Sequence, residues 1–537
     1  MMKVIYKQII AITLILTGLS CADLTEVMIT DTVADVQFST PEGLEEALVG
    51  AYQPLRWYYG REPAMLMNCF GTDLFQEGQS YNSWWDSYGT GLNAATLLEP
   101  SGISLVWDPF YQGINYANTV VTRAEEIENI DPQFKNNKVA EARFLRAHYY
   151  FVLVQHYGPI HLTLEETRAV ELEANRTPEN EIYEAIINDL QFAIDNLPVK
   201  QEQFGRPTKF AAMNHLSKVY LTIKDWQKAA DLAIQVIESG EYELLENYAD
   251  VFDPYNQQHK EVIWAVQWGE DPETNDPGNE LQRYFGPRQW LLPGLVGDDI
   301  FHVGIARFWP TDFVLTDLFG NDYRKEGLHI RNDTRYHVTF KEVWPYNDEP
   351  NIPAGRSLGD TAAWFTNDPI MQELTEEQIA QLPYTLIRIQ DRNDVYSPTV
   401  QKHRYPYQRN HGRNYMYMRL GETYLIASEA LMMMGQLEEA ASYFNILRAR
   451  AAYPGKEIPL IQPSDLDIDL ILDERGRELA GELHRWPDLK RTDKLLERVR
   501  KYNPNGAPNI QEYHLLRPIP QTQIDRTKNE YPQNPGY

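Results

Sequence analysis

Aromatic side chains set among amides, acids and glycines are where this chain could do chemistry. The run Gly71-Thr-Asp73-Leu-Phe-Gln76-Glu-Gly-Gln-Ser-Tyr81-Asn82-Ser-Trp84-Trp85-Asp86-Ser-Tyr88 places two adjacent tryptophans between tyrosines in a polar context. A pyranose ring offers flat apolar C–H faces edged by hydroxyls. Its complement is an exposed aromatic plane flanked by a few placed polar groups. Trp84 and Trp85 are therefore the first candidates for a sugar platform, with Asp73, Tyr81, Asn82 and Tyr88 around them. A second cluster, Tyr284-Phe-Gly-Pro-Arg288-Gln-Trp290 with Arg307-Phe-Trp309, offers Arg288, Trp290 and Trp309, and Trp344 and Trp364 form a third. Each of these indoles can equally plug a small local core.

Catalytic signatures do not hold together. Gly355-Arg-Ser357-Leu-Gly359 fits a nucleophile elbow, but two prolines precede it where an apolar strand is required. Asp465-Leu-Asp467-Ile-Asp469 imitates a calcium loop, yet Leu470 replaces the required glycine and Gly476 the bidentate glutamate, so acids opening a helix explain it better. No zinc motif, phosphate-binding loop or dinucleotide fingerprint is present, and His148, His156 and His161 lack a supporting carboxylate pattern. With 77 acids a glycosidase pair could arise anywhere, but no alternation of strands and helices builds a barrel to hold it. We therefore assign no catalytic residue, metal or cofactor and expect a non-enzyme.

The N-terminus addresses the chain to a membrane surface. Lys3 and Lys7 precede an apolar run, Ile9 to Leu19, too short to span a bilayer, which ends in Gly18-Leu19-Ser20-Cys21. This resembles a bacterial lipoprotein signal in which the Cys21 thiol is acylated. Gly18 stands where the commonest version has Leu, and an ordinary signal peptide with an incidental cysteine is the alternative. The 49 Lys+Arg against 77 Asp+Glu give a formal net charge of −28, and removing residues 1–20, which hold Lys3, Lys7 and no acid, takes it to −30. Such a surface repels phosphate backbones and disfavours nucleic acid as a partner.

Elements able to position these residues follow from periodicity. Apolar residues at helical spacing predict helices from Pro41 and at Trp107–Ile127, Asn137–Tyr157, Pro178–Leu197, Pro207–Ile223, Trp226–Ser239, Tyr415–Met434, Leu437–Ala451 and Asp467–Leu483. Short breaks at Lys224-Asp225 and Gly435-Gln436 make antiparallel pairs, and the segments around them resemble tetratricopeptide repeats. Between them Pro and Gly become frequent and short extended runs appear, as at Glu261–Trp268 and Tyr336–Phe340. The expected fold is mainly α, a tetratricopeptide-like helix-pair scaffold with a long irregular, loop-rich insertion containing short strands. Its expected divisions are a signal (1–20), a tether (21–39), a first scaffold part (40–246), the irregular subdomain (247–413), a second scaffold part (414–490) and an irregular C-terminal segment (491–537).

Five ordered blocks carry a wider resemblance. They are Ala140 to Ile160 with Arg143, Arg146 and Tyr157-Gly158; Gly205-Arg-Pro-Thr-Lys with Ser239-Gly240-Glu-Tyr; Tyr417-Met-Arg419-Leu-Gly-Glu422 to Glu429; Asp473-Glu474-Arg475 to Arg491; and Arg517-Pro-Ile519-Pro520 with the closing Gln533-Asn534-Pro535-Gly536-Tyr537. Together these resemble the SusD/RagB family of outer-membrane lipoproteins from Bacteroidetes over nearly the whole mature chain. The resemblance implies a lipid-anchored, non-catalytic protein of the cell surface that passes glycan oligomers to a SusC-like TonB-dependent transporter. It also implies that aromatics of the N-terminal loop and of the insertion build the ligand platform. Glu422, Glu429, Glu474, Arg475, Glu478, Arg485 and Asp488 look like its structural signature, expected as salt bridges and caps. A peptide-uptake lipoprotein of the same architecture is the principal alternative, and a glycoside hydrolase the other.

Overall fold

A computed structural model of the chain describes residues 37–78, 83–89, 104–269, 278–297, 304–319, 333–406 and 412–537. Cys21, Tyr81 and Asn82 lie outside them. Helix starts follow local chemistry. α1 (Pro41–Tyr59) begins where the Thr40 hydroxyl accepts from the Gly43 amide at 3.1 Å, with Pro41 in the first turn. After α2 (Glu62–Asn68), the short α3 (Ser83–Ser87) and α4 (Ser104–Arg123) comes α5 (Pro132–Tyr157), which Asp131 caps by accepting from the Phe134 amide. α6 (Glu179–Asn196), α7 (Lys209–Thr222, capped by Thr208) and α8 (Trp226–Glu238, capped by Asp225) complete the first run.

The irregular stretch that follows holds short helices such as α9 (Leu281–Phe285) and α10 (Thr334–Thr339). The scaffold then resumes with α11 (Leu420–Met433), α12 (Leu437–Arg450), α13 (Ile468–Leu479), α14 (Arg485–Arg491) and α15 (Leu495–Tyr502). Neighbours pack in order: α1 on α4, α4 on α5, α5 on α6, α6 on α7, α7 on α8. α8 then packs directly on α11, so the helix stack continues across the insertion. Small residues make that approach possible. Ala229, Ala230 and Ala233 of α8 and Ala427 and Ala430 of α11 are buried, and the Ser428 hydroxyl donates to the Ala440 carbonyl at 2.9 Å across the α11–α12 hairpin. The two hairpins turn alike, α7–α8 through Lys224 at φ +65° and α11–α12 through Gly435 at φ +78°. The fold is mainly α, built of tetratricopeptide-like helix pairs.

Strands are short and pair between distant segments. β1 (Phe75–Glu77) is antiparallel to β3 (Phe308–Pro310), β2 (Val262–Val266) to β9 (Tyr415–Arg419), and β4 (Phe340–Lys341) to β8 (Thr399–Val400). β5 (Val343–Pro345), β6 (Thr361–Phe365) and β7 (Thr385–Ile387) form a three-stranded sheet in that order. Two expectations are corrected here. Tyr415–Arg419, expected as the start of a helix, is β9, because β2 supplies a ladder that the periodicity of one segment does not reveal. Tyr336–Phe340, expected as extended, is mostly α10, opened by Asp333, whose carboxylate accepts from the Arg335 amide at 3.0 Å.

Buried charge ties the insertion to the second half of the scaffold. Glu478 of α13 receives Arg335 at 3.1 Å, Arg419 at 2.5 Å and Arg450 at 2.7 Å, while Glu482 receives Arg419 at 2.6 Å and Lys402 at 2.7 Å. Arg475 bridges Glu422 at 2.9 Å and Asp488 at 2.6 Å, Arg491 pairs with Glu429, and Arg335 reaches Glu474 at 2.8 Å. Burial opposes the charge on Glu474, but Arg335, Arg477 and Arg448 outweigh it and hold the carboxyl down at about 2. Breaking one partner in such a cluster leaves an uncompensated buried charge, so the network favours one arrangement of the elements it joins.

Candidate ligand-binding surface

The first sequence candidate is largely interior. Asp73 is fully buried and accepts from Arg485 Nε and Nη2 at 2.7 and 2.6 Å and from Arg498 Nε at 2.7 Å. Burial alone would favour its neutral form; the two guanidiniums more than reverse that and hold the carboxyl below its usual range. Trp85 is only 2% exposed and lies beneath Arg517, whose guanidinium carbon is 5.1 Å from the Trp85 ring and 4.7 Å from that of Trp486. Tyr88, at φ +51°, is buried, with its hydroxyl donating to the Gly71 carbonyl at 2.7 Å. Asp73, Trp85 and Tyr88 are thus corrected from ligand-facing to core residues: Arg485, Arg498 and Arg517 from the C-terminal part meet Asp73 and Trp85, and Tyr88 turns back onto the loop's own Gly71. Asp86 is the hub, accepting from the Glu77 amide and from the side-chain amides of Asn503 and Asn505 at 2.6–2.8 Å. Trp84 belongs to α3. Trp344 is corrected too, since it stands in β5 of the three-stranded sheet, paired with Ala363, and is only 2% exposed.

The second candidate keeps an open face. Trp290 and Trp309 are partly exposed, and the backbone brings their segments together. Ala306 N donates to the Gly286 carbonyl and Arg307 N to the Tyr284 carbonyl, at 2.8 and 2.9 Å, while Trp290 Nε1 reaches the Gly304 carbonyl at 3.4 Å. Trp309 stands in β3 opposite Gln76 of β1, so the N-terminal loop buttresses this surface from behind. Each indole has a guanidinium beside it. Arg288 lies 5.8 Å from the Trp290 centroid and Arg392 lies 5.6 Å from that of Trp309.

One turn holds both arginines. Asp394 accepts from Arg288 at 2.8 Å and its carbonyl accepts from the Arg288 amide, also at 2.8 Å. Arg392, two residues earlier, donates to the Pro310 carbonyl and to Asp312, both at 2.9 Å. The 391–394 segment is therefore a clasp across the two tryptophan-bearing segments, the turn at Gln289–Leu291 and strand β3. Sequence reasoning did not find Arg392, Asp394 or Asp312; the polar and aromatic run Gln390-Asp391-Arg392-Asn393-Asp394-Val395-Tyr396 in an irregular stretch was the available signal. The two other arginines of this cluster are occupied, Arg283 by Glu280 at 3.4 Å and Arg307 by Glu62 at 3.3 Å. Among the described residues no His, Cys, Asp and Glu group could hold a metal. His148 meets Tyr59 and His215, and His156 meets Asn68, all in the core.

Planar rings flanked by fixed guanidinium donors suit a ligand with apolar faces and hydroxyl edges. Comparison with known proteins places the chain among relatives. The SusD family model matches residues 260–537, and a second model, described as starch-binding associating with outer membrane, matches residues 26–221. SusD-like protein P2 of Formosa agariphila is 31% identical over 556 residues, covering 99% of each chain. The chain belongs to the SusD family. A SusD-like protein of Bacteroides ovatus is 29% identical over 243 residues, 42% of this chain and 43% of that one. Among solved structures, a SusD homolog from Bacteroides thetaiotaomicron superposes with a TM-score of 0.73 at 22% identity, covering 94% of this chain and 98% of that one. A laminarin-binding SusD-like protein superposes at 0.67 and 24% identity, covering 92% and 99%. Surface glycan-binding protein A of B. thetaiotaomicron, in complex with laminarihexaose, superposes at 0.68 and 21% identity, covering 92% and 99%. At these identities the superpositions establish the SusD fold.

Proposed function

We infer that this SusD-family chain is a non-catalytic, cell-surface lipoprotein, anchored through Cys21, that captures a glycan and delivers it to a SusC-like TonB-dependent transporter. The observation that carries the reading is the pair of partly exposed indoles, Trp290 and Trp309, each beside an arginine that a carboxylate holds in place. Stacking on the rings would supply most of the contact area, and the guanidinium N–H groups would orient hydroxyls. Asp312 and Asp394 are spent holding those arginines, which supports binding rather than hydrolysis. Attachment by lipid fits a chain in which no helix, among the described residues, is long and apolar enough to cross a membrane. Solved relatives described as binding laminarin and laminarihexaose support glycan as the ligand class.

The test is affinity electrophoresis of the mature protein through gels containing laminarin, starch or another neutral polysaccharide. Wild type should be retarded by at least one, and Trp290→Ala/Trp309→Ala should run freely with an unchanged melting temperature. Retention unaffected by that double substitution would refute this surface as the platform. Binding of peptides and of no glycan would move the reading to peptide uptake.

A further inference from the structure

A different cleft carries a second binding chemistry. It has a volume of about 570 Å³ and lies beside β2 and β9, bordered by the 254–258 turn and by Gln267 and Asn414. Among the described residues no charged side chain lines it, in a chain that is 23% charged and strongly acidic. Its walls instead carry five side-chain amides, those of Asn256, Gln257, Gln258, Gln267 and Asn414. Each amide offers a carbonyl acceptor and an NH₂ donor side by side, the pairing that a hydroxyl, itself donor and acceptor, can satisfy from either side.

Two of these amides are spent on building the cleft. Gln257 Oε1 accepts from the Asn414 amide at 2.7 Å, and Asn414 Oδ1 accepts from the Trp268 amide at 3.1 Å, which locks the floor. The side chains of Asn256 and Gln258 are exposed, and no hydrogen bond joins them to another described residue. Between them and Pro254 stands Tyr255, 72% exposed, a ring presented to solvent at the mouth of a polar cleft. An exposed ring beside unspent amides repeats, with neutral groups, the arrangement that Trp290 and Trp309 make with arginines. Gln267 also lines a separate cleft of about 400 Å³, whose walls include Gln53 and Gln203 but also Arg56 and Arg206, so the uncharged lining is a property of the first cleft alone. A volume of about 570 Å³ lies within the roughly 300–1,000 Å³ of pockets that take small ligands.

We propose that this amide-lined cleft is a second saccharide-binding site, which takes an uncharged oligosaccharide segment with Tyr255 stacked on one ring and Asn256 and Gln258 bonding its hydroxyls. The described lining of this cleft offers a neutral polyol donors and acceptors with no ion pair to break on entering. Only the ligand class rests on the glycan-binding reading above; the site itself is separate.

The experiment is hydroxyl-radical footprinting of the mature full-length protein, read by mass spectrometry at Tyr255, Trp290 and Trp309. The probes are laminarihexaose, maltohexaose, cellohexaose, mannohexaose and galactohexaose at millimolar concentration, with tetraglycine as a neutral peptide. The expected result is a several-fold drop in Tyr255 oxidation with at least one sugar, retained in Trp290→Ala/Trp309→Ala and lost in Asn256→Ala/Gln258→Ala. Protection of Trp290 and Trp309 with none at Tyr255 overturns the second site and leaves the first reading standing. Protection at Tyr255 alone supports the second site and refutes the first surface. Protection of Tyr255 by tetraglycine and by no sugar overturns the proposal in favour of a peptide site, and protection at none of the three residues overturns both.

Discussion

Replacing Asp73 separates a ligand residue from a core residue. In Asp73→Ala, Arg485 loses the one carboxylate that pairs with it among the described residues and keeps the Leu472 carbonyl, whereas Arg498 retains Asp469 at 2.9 Å and also Asp473. The cost falls on a buried guanidinium left without its counter-ion, about 3–5 kcal/mol. Unfolding entropy of about 2.1 cal/mol/K per residue over roughly 500 ordered residues gives about 1 kcal/mol/K, so the melting temperature should drop by about 3–5 °C. Glycan retention measured well below that temperature should be unchanged. The effect also has a pH signature. The arginines lower the Asp73 pKa despite its burial, so its contribution is fully present above the unfolded value of about 3.9 and is lost as pH falls through the lower folded value. The gap between wild type and variant should therefore close on acidification below about pH 4. Lost retention with an unmoved melting temperature would refute the reasoning and return Asp73 to the ligand.

Trp85→Ala, which removes a ring packed beneath Arg517, should cost about 3–5 kcal/mol in denaturant unfolding, with retention preserved in the folded fraction. His403 and His484, pushed down to about 4 chiefly by burial, are neutral in the folded protein. Each should remove about 1.4 kcal/mol per pH unit as pH falls from about 6.5 towards 4, and a melting temperature flat across that window would contradict their burial. Gly435→Ala forces an L-residue to φ +78°, where an added Cβ meets nothing within 4 Å. It should cost about 1–2 kcal/mol by calorimetry, from backbone strain alone. Cys21→Ala should move the protein from the membrane to the soluble fraction on cell fractionation.

Helix pairs were legible because their determinants are local. Thr40, Asp131, Thr208 and Asp467 cap the helices that follow them, and each accepts from an amide three residues on. Alanines at the α7–α8 and α11–α12 hairpins likewise announce close packing before any partner is known. β9 was illegible for the opposite reason: its ladder partner, β2, lies more than a hundred residues earlier, and without it Tyr415–Arg419 reads as the leading turn of α11. The 391–394 clasp was missed because its meaning depends on Arg288 and Pro310, which are remote in sequence.

Composition alone told that tryptophans here could stack on something planar, but an indole stacks as readily on a guanidinium as on a sugar face. Trp85 and Trp309 sit in similar company of Gly, Asp and Arg or Asn along the chain. One meets Arg517 from more than four hundred residues away and disappears into the core; the other meets Arg392 at the surface and keeps part of its ring free. What the sequence by itself determined, then, was the family, the helix pairs and the class of side chain able to bind, because capping and periodicity act within a turn or two of helix. Only the tertiary structure decided which rings face solvent, since exposure depends on what distant segments of the chain bring against each one.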